Sequence, residues 1–230
     1  MNNQVLVESK NIYTNTLVSL LQPIFYKYIK NIWTTCQYHT QPFKAFQDKL
    51  RIVQSWDSIH IKEFYSFCLL ELQRNPDFSK VYLAKLLHVI FKLYINILNI
   101  VNDTLITSIQ LPPNKQFFYI CITYCCKYFY NSPFLFDTSK QRHSNHQLSI
   151  FINQRKDSIK SGILDTIQHF IPIKKILCDP DNIIVVTTVN DDCHESRKSD
   201  ISSNSLQFIP PIQSQSQPTI HSSTGFINLL

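Results

Sequence analysis

Apolar residues recur at three- and four-residue spacings through positions 1–178, and prolines and polar breaks cut that pattern into helical pieces. The first piece runs from Gln4 to Leu21 and stops before Pro23, which suits the first turn of a second helix carrying Phe25, Ile29, Ile32, Trp33 and Cys36. Pro42 restarts the chain in the same way, with Phe43, Phe46, Leu50, Val53 and Trp56 as the next stripe. Asp57 or Ser58 is placed to cap a helix whose apolar face is Ile61, Phe64, Tyr65, Cys68 and Leu72. After the Asn75-Pro76-Asp77 break, Phe78 to Ile100 is apolar around most of its circumference, which predicts the central helix of a bundle. Leu111-Pro112-Pro113 precedes an aromatic helix from Phe117 to Tyr130, stopped by Asn131-Ser132-Pro133. A polar loop, Asp137 to Gln147, leads to a last helix from Leu148 to Ile171, whose buried face is read as Leu148, Ile152, Ile159, Ile163, Ile167 and Phe170.

The pattern therefore predicts an all-α fold, a helical bundle domain over residues 1–178. From Asp179 the composition shifts to Ser, Asn, Gln and Asp, with Pro210-Pro211 and a Gln-rich run, so residues 179–230 read as a low-complexity, mostly disordered acidic tail. Within it Ile183 to Val189 has strand-like β-branched composition but no second strand to pair with.

Composition narrows the function more than it defines it. With 44% hydrophobic and 17% charged residues the chain can bury a core. Its 2 glycines, Gly162 and Gly225, cannot build a phosphate-cradling loop or a dinucleotide turn. Gly-x-Ser-x-Gly and His-Glu-x-x-His are both absent, so the sequence is read as non-enzymatic and no cofactor is assigned. The 7 cysteines, an odd number among apolar helical positions, read as reduced intracellular thiols. No secretory leader is read in MNNQVLVESK. Val81 to Val101 is long enough to cross a bilayer, but Lys85, His88 and Lys92 lie inside it, at about 2.5 kcal/mol or more each on insertion scales, so no membrane span is expected.

Three constellations bear on chemistry. Residues 1–178 hold 20 Lys or Arg against 10 Asp or Glu, a net of +10, whereas residues 179–230 hold 2 against 6, a net of −4. The densest basic region is Lys140, Arg142, Arg155, Lys156, Lys160, Lys174 and Lys175, which is where a nucleic-acid phosphate would be met; contact there would be non-specific and salt-dependent. Second, Cys121 and Cys125 followed by His143 and His146 have the ligand types of a zinc site but the spacing of no standard finger, and cysteines among Ile and Tyr are ordinarily core, so no metal is assigned. Third, Asp57, His60 and Glu63 share a helical face at spacings of three; capping and the helix macrodipole account for acids at a helix start, and no activated nucleophile stands alongside.

Several blocks taken in order resemble a known family: LLQPIFYKYIKNIW (20–33), AFQDKLRIVQSW (45–56), YLAKLLHVIFKLYINIL (82–98), IQLPPNKQFFYICITYCCKYFYNSPFLF (109–136) and FIPIKKIL (170–177). They are similar to helical proteins of unknown function encoded by nucleocytoplasmic large DNA viruses. The most specific block is the Leu-Pro, aromatic helix and NSPFLF ending, which resembles that family's Ile-Pro, aromatic helix, Asn-Pro-Tyr-Leu-Phe layout. The chain departs in having fewer acids and a Cys-rich helix. The resemblance implies an all-α body and a life in the host cytoplasm, the viral factory or the virion; it carries no activity with it.

The function expected from the sequence is a non-enzymatic helical interaction protein, a virion or assembly component or an adaptor, with viral protein partners. Its docking surface is expected at the aromatics beside the 131–147 loop. The alternative is a basic nucleic-acid-associated protein using residues 140–175.

Overall fold

The computed structural model describes residues 3–74, 80–102, 111–137 and 143–171, all within one unit, Met1–His194. The predicted tail (179–230), the Ile183–Val189 segment and Lys140, Arg142, Lys174 and Lys175 lie outside the described residues. Among those described there are six α-helices and no strand, so the fold is the expected all-α bundle. The helices are α1 (Asn3–Cys36), α2 (Pro42–Ile52), α3 (Ser58–Leu72), α4 (Lys80–Asn102), α5 (Asn114–Asn131) and α6 (Asn145–His169). Single 3-10 turns, Val53–Ser55 and Pro133–Phe136, follow α2 and α5.

Local chemistry sets most of the boundaries. Pro42 opens α2, where its missing N–H costs nothing. The Asp57 carboxylate caps α3, accepting from the backbone N–H of Ile59 at 3.0 Å and of His60 at 2.9 Å. Pro113 immediately precedes α5. A reciprocal cap starts α6: the Ser144 hydroxyl accepts from the Gln147 N–H while the Gln147 side chain accepts from the Ser144 N–H.

Three expectations need correction. Pro23 does not separate two helices but lies inside the 34-residue α1. Its ring removes one backbone bond, to Ser19, but both residues are exposed, so water can satisfy that carbonyl. Burial of Leu17, Val18 and Leu21 before Pro23, and of Ile24, Phe25 and Ile29 after it, holds both halves on one axis.

α4 is not the central helix. That place belongs to α1, which packs on all five others, and to α5, which packs on α1, α2, α3 and α6. α4 packs substantially on α1 alone, burying Leu83, Leu86, Leu87, Ile90 and Phe91, with Lys10 5.0 Å from the Tyr94 ring centroid. Tyr82–Ile100 is the one described stretch long and apolar enough to span a membrane, and a third of it is buried; Lys85, His88 and Lys92 are exposed along it.

The buried face of α6 also differs from the one read. Ile152 is exposed, while Arg155, Ile159, Gly162, Ile163, Thr166 and Ile167 face inward. α6 lies so close to α5 that Gly162 abuts Cys125.

The core is unusually aromatic. Phe25 lies against Phe64 and Phe118, and Phe136 against Tyr26, Phe46 and Phe129. Each such ring contributes about 1.5–3 kcal/mol by leaving water.

Candidate functional site

Where the C-terminal half of α1 meets the α2–α3 corner, side chains from three elements enclose a two-lobed groove with Trp56 between the lobes. One lobe, about 250 Å³, is lined by Tyr28 and Asn31 of α1, Trp56, and His60, Glu63, Phe64 and Phe67 of α3. The other, about 350 Å³, is lined by Tyr28, Asn31, Ile32, Thr35, Lys49, Ile52, Val53 and Trp56. A larger depression of about 780 Å³ continues over the outer face of α3, past Ile59, Lys62, Glu63, Phe67 and Leu70 to Lys115. Ile52, Ile59 and Leu70 are 56%, 64% and 63% exposed, so this side of the molecule presents large apolar side chains to solvent.

Packing fixes the groove's floor. The Tyr28 ring stands at 71° to Phe64 with centroids 4.7 Å apart, and at 85° to Trp56 at 6.0 Å. Trp56 stacks on Tyr119, whose hydroxyl donates to the Gln54 carbonyl at 2.9 Å and so ties the corner to α5. Lys27 of α1 pairs with Glu71 of α3 at 2.8 Å, fixing the far end of the α1–α3 wall. Burial, with the neighbouring Cys126, Cys68 and Glu63, pushes the Tyr28 phenol up to about 12, so it stays neutral.

At the rim the His60 Nδ1 lies 2.7 Å from the Asp57 carboxylate. The backbone N–H of His60, then its ring, hold that carboxyl below the usual range, so it is ionised at neutral pH and accepts only. Nδ1 is therefore the donor, and Nε2 is left with no proton when the ring is neutral. Glu63 shares the rim with His60 in the smaller lobe.

Of the residues singled out in the sequence, Asp57, His60 and Glu63 meet at this rim, whereas those of the basic and Cys–His constellations do not converge. Arg155 is turned inward at 6% exposure, which takes it out of the basic surface. Its Nη1 donates to the Leu135 carbonyl at 3.1 Å, and its guanidinium lies 5.5 Å from the ring centroids of both Tyr26 and Phe136. Lys156 and Lys160 are exposed. Cys121 and Cys125 are fully buried on α5. Cys121 adjoins Thr166, twenty residues from His146 along α6 and so about 30 Å away. His143 instead faces Asp137 at 3.4 Å and packs edge-on against Phe151. Among the described residues no group of three His, Cys, Asp or Glu is placed to hold a metal ion. Beside the 131–147 loop, of which residues 138–142 lie outside the described residues, Phe134 is 45% exposed and packs on Phe151.

Burial raises the thiols of Cys68, Cys121, Cys125 and Cys126 above their ordinary range, away from nucleophilic thiolate. In the native full-length chain Cys36, Cys68, Cys121, Cys125 and Cys126, all buried and free, are expected to resist iodoacetamide and to be alkylated only after denaturation, as site-resolved mass spectrometry will show. Rapid native labelling of Cys121 or Cys125 would contradict their placement in the core.

The groove itself was not read from the sequence, where Trp56 stood as the end of the α2 stripe. The signal available was an aromatic residue directly before the capping Asp57, a position outside the helix and free to lean over its neighbours.

Fold and groove together define a small all-α protein with an aromatic hollow beside its central helix. The chain belongs to the Family of unknown function (DUF5764), whose model matches residues 3–137, from α1 through the turn after α5. The groove lies wholly inside the matched part and α6 outside it. No curated protein and no solved structure matches the chain.

Proposed function

We propose that this protein is a non-enzymatic helical interaction module of a large DNA virus, a virion or assembly component or an adaptor, that docks a viral protein partner in the groove around Trp56. The observation that carries the reading is the groove: two aromatic and aliphatic lobes side by side, one lined by exposed Ile52, with the adjoining depression carrying exposed Ile59 and Leu70. Concave apolar surface with a few polar groups at its edge is what binding sites for side chains of a partner have in common. The viral setting, in host cytoplasm, viral factory or virion, rests on the resemblance of the sequence blocks.

Site-specific photo-crosslinking in infected cells tests it. A benzophenone side chain at Ile52 or Leu70 is expected to capture the same discrete viral protein, whereas one at Ile12, exposed on the N-terminal half of α1, is not. Identical products from all three positions would remove the groove from the account.

A further inference from the structure

We propose that the smaller lobe beside Trp56 is a cage for a methylated ammonium group, and that the group it takes is a trimethyllysine side chain of the docked partner. This deepens the docking reading and rests on it.

Three observations converge. The first is ring geometry. Tyr28 and Trp56 are nearly perpendicular, with centroids 6.0 Å apart, and Phe67 is tilted at 59° to Tyr28 at 5.3 Å. Rings set at angles around a hollow present several π-surfaces to one point, and a cation is attracted at distances up to about 6 Å from each centroid. The second is charge. In a chain of net charge +6, this lobe is lined by the Glu63 carboxylate and by no Lys or Arg, whereas Lys49 lines the neighbouring lobe and Lys62 and Lys115 the depression beyond. His60, the other titratable group at the rim, is tethered to the Asp57 carboxylate, which offsets any charge it takes up. The third is the distribution of polarity and size. Asn31, His60 and Glu63 are exposed, whereas Phe64 is buried and Tyr28, Trp56 and Phe67 are half-buried, so the interior is aromatic and the edge polar. A primary ammonium would arrive there with three N–H donors facing rings; a trimethylammonium has no donor to satisfy and is weakly hydrated. At about 250 Å³ the lobe suits a head group rather than a drug-sized molecule.

A protein side chain is favoured over a choline head group because the cage does not stand alone. Tyr28, Asn31 and Trp56 line both lobes, and the second lobe adds Ile32, Ile52 and Val53. That is a seat for one neighbouring apolar side chain of a peptide, and at about 350 Å³ it is too small for the two acyl chains of a choline lipid.

The experiment uses the full-length protein and four probes: N-acetyl-trimethyllysine amide, the unmodified lysine amide, the carbon isostere with a neutral tert-butyl end, and phosphocholine. Binding is followed by the shift of the Trp56 indole resonance. Trimethyllysine is expected to bind about tenfold more tightly than either the unmodified or the neutral analogue, the discrimination a partly desolvated cation–π contact gives. E63Q, at an exposed position, should weaken it several-fold, and W56F should retain part of the binding that W56A loses. Equal binding of the neutral isostere would leave an apolar hollow and overturn the cage, and so would absence of saturable binding at millimolar probe. Phosphocholine binding without trimethyllysine binding would overturn the lysine assignment. If crosslinking at Ile52 succeeds while these titrations fail, the docking reading stands and the cage alone falls.

Discussion

Phe136→Ala is expected to cost about 4–5 kcal/mol of unfolding free energy, at the upper end of the range for a buried phenylalanine. The ring is 1% exposed and lies among Tyr26, Phe46 and Phe129, with centroids 6.0, 5.4 and 4.9 Å away. Removing it opens a cavity where α1, α2, α5 and the 3-10 turn after α5 meet, and those elements cannot all close over it at once. It also strips one of the two π-faces from the buried Arg155 guanidinium, whose Nε has no hydrogen-bond partner. A buried cation that loses part of its compensation is destabilising beyond the lost packing. Small domains carry only about 5–15 kcal/mol in total, so a large share of stability goes with this one ring. Urea denaturation of the full chain measures the effect; Phe136→Leu, which keeps most of the volume, should cost well under half as much. A loss below about 1 kcal/mol for the alanine variant would mean that the Arg155 cluster does not hold the body together.

Gly162→Ala should destabilise by about 1–3 kcal/mol although alanine is the better helix former by about 1 kcal/mol. A Cβ at this position would lie 2.7 Å from the Cys125 Sγ and 2.9 Å from the Cys125 backbone nitrogen. The sulfur can rotate away, but the backbone nitrogen belongs to α5 and moves only with the helix. α6 must therefore back off, and the contacts of Ile159, Ile163 and Ile167 loosen with it. Cys125→Ala in the same chain should recover part of the loss and not all of it, because the backbone clash persists. A stabilised Gly162→Ala in equilibrium denaturation would show that α5 and α6 sit further apart than described.

How much of this was legible depends on how local its cause is. A cap at Asp57 or Ser58, Pro42 at the start of α2, the Pro112-Pro113 break and the stop at Asn131-Ser132-Pro133 all follow from chemistry within a few residues, and the structure has them there, with Asp57 as the cap. Pro23 misleads because the force that overrides it, burial of apolar residues on both sides, comes from partners distant in sequence. α4 misleads for a related reason: an apolar circumference says that a helix avoids water but not which neighbour covers it. Arg155 is the sharpest case. Its surroundings are Tyr26 and Phe136, far away along the chain, and nothing near Arg155 marks it as different from Lys156. The groove needs α1, the α2–α3 corner and α3 at once; the shared face of Asp57, His60 and Glu63 marks its rim, and Trp56 ahead of Asp57 is the one local hint of its aromatic interior.

The order of synthesis gives α1 a burden no other helix shares. It is made before every helix that it packs on, yet its contacts with α6 join residues as distant as Gln22 and Lys156. For all the time needed to translate that interval, an apolar helix face about 50 Å long waits without its final partners. Among the described helices early cover comes from α2, α3 and α4, so the corner that shapes the groove also shields the nascent chain until α5 and α6 arrive. A substitution that loosens this corner would therefore lower the yield of soluble protein as well as alter what the groove can hold.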